Sequence, residues 1–284
     1  MTEKIPHINV GGSGRLLHFA HANSYPPRVY AQFLSALAAS YHVVAIEQRP
    51  LWPDAAPEGL QSWHELAEDL IRLCDQEGWR DLIGVGHSLG GVATLYAALR
   101  RPTLFRALVF VEPVFLPPEV LAALSAGERD SHVRLTHLAE TARDRRDRWP
   151  DRQAAFDHYR DKAVFRRWSD ESLQNYVRFG TEKVANGQVG LRYNKGWEAR
   201  IYSLAPTDVW RMIPQLTQPT LAIRAEASDT LFPPAWELWQ QLQPEARFVT
   251  LSDVSHLAPM ERPDLVARTI LDFLEAVEAL EKAP

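Results

Sequence analysis

Six residues, Gly86-His87-Ser88-Leu89-Gly90-Gly91, stand between an apolar run, Leu82-Ile83-Gly84-Val85, and a helical pattern, Val92-Ala93-Thr94-Leu95-Tyr96-Ala97-Ala98-Leu99. A buried strand that turns sharply into a helix belongs to a sheet with helices laid back across it. A serine stands at the apex of this turn. The flanking glycines let strand and helix approach closely, and the strain of so tight a turn pushes the serine Oγ clear of the sheet. A serine hydroxyl is a weak nucleophile until geometry and a base activate it. The same turn aims the Leu89 N–H, at the helix start, toward any oxyanion formed on an attacked carbonyl. A plain glycine-rich turn would need neither the strand before it nor the helix after it.

The rest of the chain repeats this alternation. Residues 15–20, 42–47, 82–85, 107–112, 220–224 and 247–251 read as strands, and 29–39, 60–77, 235–242 and 263–280 as helices. Strands apolar almost throughout, separated by helices, predict an α/β fold with a mostly parallel sheet covered on both faces. Ligands of such sheets bind beyond the carboxyl ends of the strands, where Ser88 stands. The stretch 113–218 breaks the pattern. It holds the charge run Arg143-Asp144-Arg145-Arg146-Asp147-Arg148 and many aromatics, among them Trp149, Tyr159, Trp168 and Tyr176, without a strand signal. It is predicted as a helical cap, 114–217, inserted after the strand that ends near Glu112, over a core formed by 1–113 and 218–284. Asp interleaved with Arg reads as a solvated helix face, and half or more of the aromatics as packing between cap and core.

Composition narrows the partners. A chain of 284 residues, 46% hydrophobic and 24% charged, can bury one substantial core. Its net charge of −5 argues against nucleic acid and anionic membranes. The start, Met1-Thr2-Glu3-Lys4-Ile5-Pro6, lacks a secretory pattern, and no apolar run approaches membrane-spanning length. Cys74 is the single cysteine, so intramolecular disulfides are excluded and a cytoplasmic setting is expected. Among Leu66, Leu70, Ile71 and Leu73 it reads as a packing residue. With no cysteine cluster and no two-histidine helical motif, neither metal nor cofactor is expected. The expected partner is a small molecule, taken up by a monomer or homodimer.

A serine nucleophile needs a base, and the base needs an orienting carboxylate. His256, in Ser255-His256-Leu257-Ala258-Pro259-Met260-Glu261, lies directly after the last strand and before the last helix. The carboxylate is expected on the loop after the preceding strand, where Glu226 and Asp229 both qualify. Asp229 is preferred because it stands at the far end of that loop. Glu112, ending its own strand, is an outside candidate that also reads as a buried anchor. His87 reads as a packing residue of the turn. Trp197 re-enters the core from the cap and can border a substrate pocket with His21, His87, Leu257 and Met260.

The order Ser88, Asp229, His256, with the Gly-His-Ser-Leu-Gly-Gly turn, Ser228-Asp229, Ser255-His256-Leu257 and Glu261-Arg262-Pro263, resembles the capped α/β-hydrolase superfamily over nearly the whole chain. The resemblance implies a serine hydrolase that works through an acyl-enzyme: Ser88 attacks, His256 moves the proton and Asp229 orients the imidazole. It also implies a second oxyanion N–H from the loop at His21-Ala22-Asn23, by position that of Asn23, with Ala22 or Ser24 as alternatives. The family usually has His-Gly there, so this loop departs from the pattern. So does Glu47-Gln48-Arg49-Pro50, where Asp-x-Arg-Gly is more common and the role is structural. Serine in place of aspartate argues against haloalkane dehalogenases and epoxide hydrolases. It leaves esters, thioesters and lactones, and carbon–carbon bonds, with a small to medium apolar ester favoured by the aromatic cap. Cofactor-free perhydrolase or haloperoxidase activity, or a low-turnover ligand-binding protein, are the alternatives on the same scaffold.

Overall fold

A computed structural model describes residues 4–126 and 129–282; Met1, Thr2 and Glu3 of the N-terminal pattern lie outside them. The first half forms β1 (His7–Gly11), β2 (Leu16–Ala20), α1 (Ala31–Ala38), β3 (His42–Ile46), α2 (His64–Glu77), β4 (Leu82–His87), α3 (Leu89–Arg100) and β5 (Phe105–Val111). An inserted segment follows, with α4 (Pro118–Ser125), α5 (Arg129–Asp144), β6 (Arg148–Trp149), α6 (Arg152–Arg160), α7 (Asp170–Gly180), β7 (Thr181–Lys183), β8 (Val189–Leu191), α8 (Lys195–Tyr202) and α9 (Val209–Met212). The chain then returns through β9 (Thr220–Ala227), α10 (Pro233–Leu242), β10 (Arg247–Ser255), α11 (Ala258–Glu261) and α12 (Pro263–Glu281).

The main sheet has the order β1-β3-β2-β4-β5-β9-β10. Only the edge strand β1 runs antiparallel to its neighbour; the other pairs are parallel. Every residue of β4 is buried, as expected of a central strand covered on both faces. On one face Phe33 and Leu37 of α1 pack with Val266 and Ile270 of α12. On the other, Leu70 and Leu73 of α2 pack with Leu95 of α3 and Trp239 of α10. Cys74 is buried in that second layer, and burial pushes its thiol up to about 12.

The inserted segment corrects one expectation. Besides helices it contains a small antiparallel sheet, β6-β8-β7, whose strands of two or three residues are too short to leave a periodic signal. Three of its helices, α6, α7 and α8, begin where short polar side chains supply caps: Asp151 accepts from Ala154 N, Ser169 from Ser172 N and Asn194 from Gly196 N. The segment is tied to the loop after β3 and to the carboxyl-terminal part of β10. Arg192 pairs with Glu47 after β3 at 2.8 Å, Trp63 Nε1 donates to Ile201 O at 3.1 Å, and Arg167 Nη1 donates to Asp253 O at 3.0 Å.

Candidate active site

The turn between β4 and α3 holds Ser88 at φ 55°, ψ −118°, a backbone that a residue with a side chain adopts only under constraint from its surroundings. That constraint is close packing. A Cβ on Gly86 would stand 2.5 Å from Gly90 O, and one on Gly90 would stand 2.1 Å from Ala20 O. Ser88 N donates to Val111 O at 3.0 Å, which clips the turn to β5.

Across the carboxyl edge, the Ser88 Oγ lies 3.0 Å from His256 Nε2. The other ring nitrogen, Nδ1, lies 3.1 Å from Glu112 Oε2. Glu112 is fully buried and also receives Ala225 N on Oε1 at 2.7 Å and Ser228 Oγ on Oε2 at 2.5 Å. Three donors converge on its two oxygens, which is what an acceptor-only carboxylate satisfies. The carboxylate therefore draws the imidazole proton to Nδ1 and leaves the Nε2 lone pair facing the Ser88 hydroxyl. Such an arrangement can take a proton from Ser88 and hold the resulting imidazolium.

The partner of His256 is thus Glu112, not Asp229. The sheet order explains the difference. β5 lies between the strand that carries Ser88 and β9, so a residue at its end is already beside the serine. A glutamate there, at φ 49°, reaches the imidazole. Strand β9 runs on to Ala227 and carries Asp229 out to an exposed position, where its Oδ1 accepts from Thr230 Oγ1 at 3.2 Å. Glu226 is also exposed and accepts from Asp253 N at 3.3 Å. Ser228 is the residue of this loop that joins the site, through Glu112; the sequence singled it out only beside Asp229.

The loop after β2 closes the opposite side. Ala22 N donates to the Tyr30 hydroxyl at 3.2 Å, and the Ser24 backbone faces the Tyr193 hydroxyl. Among the described residues no acceptor is found for the N–H of Asn23, whose side chain is fixed instead: Tyr193 O–H donates to Oδ1 at 2.9 Å and Nδ2 donates to Glu198 O at 3.3 Å. Leu89 N, at the first position of α3, has no intrahelical acceptor.

His21 and His87 serve this frame. Burial lowers His21 to about 4, so it is neutral; Nδ1–H donates to Ala22 O at 2.8 Å and Nε2 accepts from Gln48 N at 3.2 Å. Burial likewise holds His87 well below the ordinary histidine value. Its Nε2–H donates to His256 O at 2.8 Å, and its Nδ1 accepts from Tyr30 O–H, also at 2.8 Å. One continuous path, Ala22 N–H to Tyr30 to His87 to the His256 carbonyl, therefore links the two loops that flank Ser88. Gln48 and Arg49 of the divergent Glu47-Gln48-Arg49-Pro50 stretch are structural. Gln48 Nε2 donates to His21 O at 2.6 Å, and Arg49 holds Asp69 and Glu65 at 2.5 and 2.6 Å.

A cavity of about 800 Å³ opens within the inserted segment, lined by Tyr25, Arg145, Tyr159, Tyr176, Glu198 and Tyr202 among others. The residues expected to border a pocket, His21, His87, Trp197, Leu257 and Met260, are buried and do not line this cavity. Trp197 instead donates Nε1 to Ala55 O at 3.3 Å. Among the described residues no group of three or more His, Cys, Asp or Glu could hold a metal ion, and no helix is long and apolar enough to cross a membrane.

The sequence matches the alpha/beta hydrolase family over residues 18–269, and the chain belongs to that family. Among its relatives, 2-(acetamidomethylene)succinate hydrolase from Mesorhizobium japonicum is 23% identical over 266 residues, covering 93% of this chain and 90% of the relative. Among solved structures, E-2-(acetamidomethylene)succinate hydrolase superposes with a TM-score of 0.80 at 20% identity, covering 95% of this chain and 98% of that one. The enol-lactonase from Burkholderia xenovorans superposes with a TM-score of 0.70 at 19% identity, covering 95% and 96%. At these identities the structural likeness establishes the shared fold.

Proposed function

We propose that this protein is a serine hydrolase that cleaves an ester through an acyl-enzyme, with the inserted segment as its cap. The observation that carries the reading is the chain of contacts from Ser88 Oγ to His256 Nε2 at 3.0 Å and from His256 Nδ1 to Glu112 Oε2 at 3.1 Å. Ser88 attacks the acyl carbonyl while His256 takes its proton. Glu112 holds the tautomer and the imidazolium, in the role the sequence assigned to Asp229. The N–H groups of Leu89 and Asn23 receive the oxyanion, a reading supported by the commitment of the Ala22 N–H to the Tyr30 hydroxyl. His256 then returns the proton to the leaving group, and water deacylates Ser88 by the same route. Hydrolysis of an amide is the second reading. It is favoured by the relative from Mesorhizobium japonicum, whose named substrate carries an acetamido group.

A fluorophosphonate tests the reading without knowledge of the substrate. Stoichiometric labelling at Ser88, found by intact mass and adduct mapping and absent from Ser88→Ala, is the expected outcome. A folded protein that remains unlabelled would mean that Ser88 is not activated, and the reading would fall.

A further inference from the structure

The charge run at 143–148 is not the solvated helix face its pattern suggests. Arg143, Arg146 and Arg148 are exposed, but Arg145, just past the end of α5, turns inward with its side chain 21% exposed. Its Nη1 donates to Glu198 Oε2 on α8 at 2.6 Å. Its Nη2 donates to the hydroxyls of Tyr159 on α6 and Tyr176 on α7, each at 3.0 Å. All four residues line the 800 Å³ cavity. The cavity shares its wall with the oxyanion loop: the Glu198 carbonyl takes Asn23 Nδ2, and the ring of Tyr25, two residues on, lies 5.5 Å from that of Tyr176.

A guanidinium carries five N–H groups in a fixed fork. Glu198 takes one and the tyrosines two, so Nε–H and one Nη1 hydrogen have no protein partner among the described residues. Burial costs the guanidinium hydration, but the facing Tyr176 and Glu198 oxygens more than offset this, so Arg145 stays charged. Burial, then the neighbouring Tyr176, also raise Tyr159, so its hydroxyl stays protonated. The formal charges lining the cavity cancel: Arg145, Arg146 and Lys162 against Glu140, Asp144 and Glu198. A lining with no net charge gains one negative charge at less cost than two, and a planar monoanion can take a remaining N–H of the one guanidinium beside the Tyr159–Tyr176 hydroxyl pair.

We propose that Arg145, with Tyr159 and Tyr176, is a carboxylate-binding subsite, and that the substrate is an acyl compound carrying a carboxylate remote from the scissile carbonyl. The word substrate rests on the hydrolase reading above; binding at the subsite does not require turnover.

The test uses calorimetry on the Ser88→Ala protein, titrated with the monoethyl esters of succinate, glutarate and adipate and with their neutral diethyl counterparts. At least one monoanion is expected to bind tenfold or more tighter than its diester. Arg145→Met should abolish that preference and leave diester binding within about twofold. Glu198→Gln, which removes the carboxylate competing for Nη1, should tighten the monoanion several-fold. If Arg145→Met does not fold, the Tyr159→Phe/Tyr176→Phe pair, which leaves the Arg145–Glu198 contact in place, should cut the preference at least threefold. Equal binding of monoanion and diester, or a Glu198→Gln that leaves or weakens monoanion binding, would make Arg145 a strut between helices and overturn the proposal. Wild-type turnover separates the two readings. Diester hydrolysis without any charge preference removes the subsite and keeps the hydrolase; preferential binding in a protein that turns over neither class does the reverse.

Discussion

Glu112 and Asp229 divide the question of the site at the scale of single residues. Each is a carboxylate beyond the end of a strand, yet one is fully buried with three donors on it and the other is exposed. Replacing Glu112 by Gln keeps the shape but sets an amide N–H2 against the three donors that the carboxylate accepts, so the His256 tautomer is no longer enforced. A loss of roughly 10³- to 10⁴-fold in kcat is expected, as when a triad acid becomes its amide. Asp229→Asn should stay within a few-fold. Ester turnover and the rate of fluorophosphonate labelling measure both, with circular dichroism as the check on folding. A severe loss in Asp229→Asn beside a mild one in Glu112→Gln would return the role to Asp229.

At the scale of elements, the turn is a contact between three backbones. The absent Cβ of Gly90 leaves room for Ala20 O and His21 O, at the end of the strand that leads into the Asn23 loop. Gly90→Ala therefore acts on the loop at Asn23 as well as on the turn. The neighbouring atoms are backbone and cannot rotate away, so β2 and α3 must separate. Overpacking of this kind costs about 1–3 kcal/mol, and a shift near 1 Å at a reacting centre costs on the order of 100-fold in rate. Urea unfolding and ester kinetics would register both losses; a variant with wild-type kcat would disprove the close approach. The elements themselves were legible where burial is regular. The apolar runs at 82–85 and 107–112 became β4 and β5, and Ser88 on its turn stands against His256. What stayed hidden depends on tertiary register. Nothing local distinguishes Glu112 from Asp229 until β5 is known to lie between β4 and β9, or shows that Arg145 alone of its run turns inward. The two- and three-residue strands β6, β7 and β8 carry no period to detect.

At the scale of the whole molecule, buried histidines make stability depend on pH. Burial, then the neighbouring His7 and His21, lower His18 to about 3, and neither of its ring nitrogens has a hydrogen-bond partner. His21 is lowered to about 4, and His87 well below the usual value. A folded-state value below the unfolded one means that the unfolded chain binds more protons between the two. The stability these neutral histidines allow is therefore complete above about pH 6.5 and is lost as pH falls toward 4 and then 3. Each such group contributes a slope of up to about 1.4 kcal/mol per pH unit inside its window. His18 lies in the sheet core, outside the contacts around Ser88, so it isolates the effect. His18→Leu removes the group that must stay uncharged and substitutes an apolar side chain of similar size. Between pH 7 and pH 5 the variant should lose about 2 kcal/mol less stability than the wild type, read from urea midpoints at each pH. Carboxylates protonate equally in both proteins, so the difference between the curves belongs to the imidazole. Parallel curves would mean that His18 takes up a proton inside the folded core as readily as in water. The unpartnered burial of its ring in β2 would then have to be abandoned.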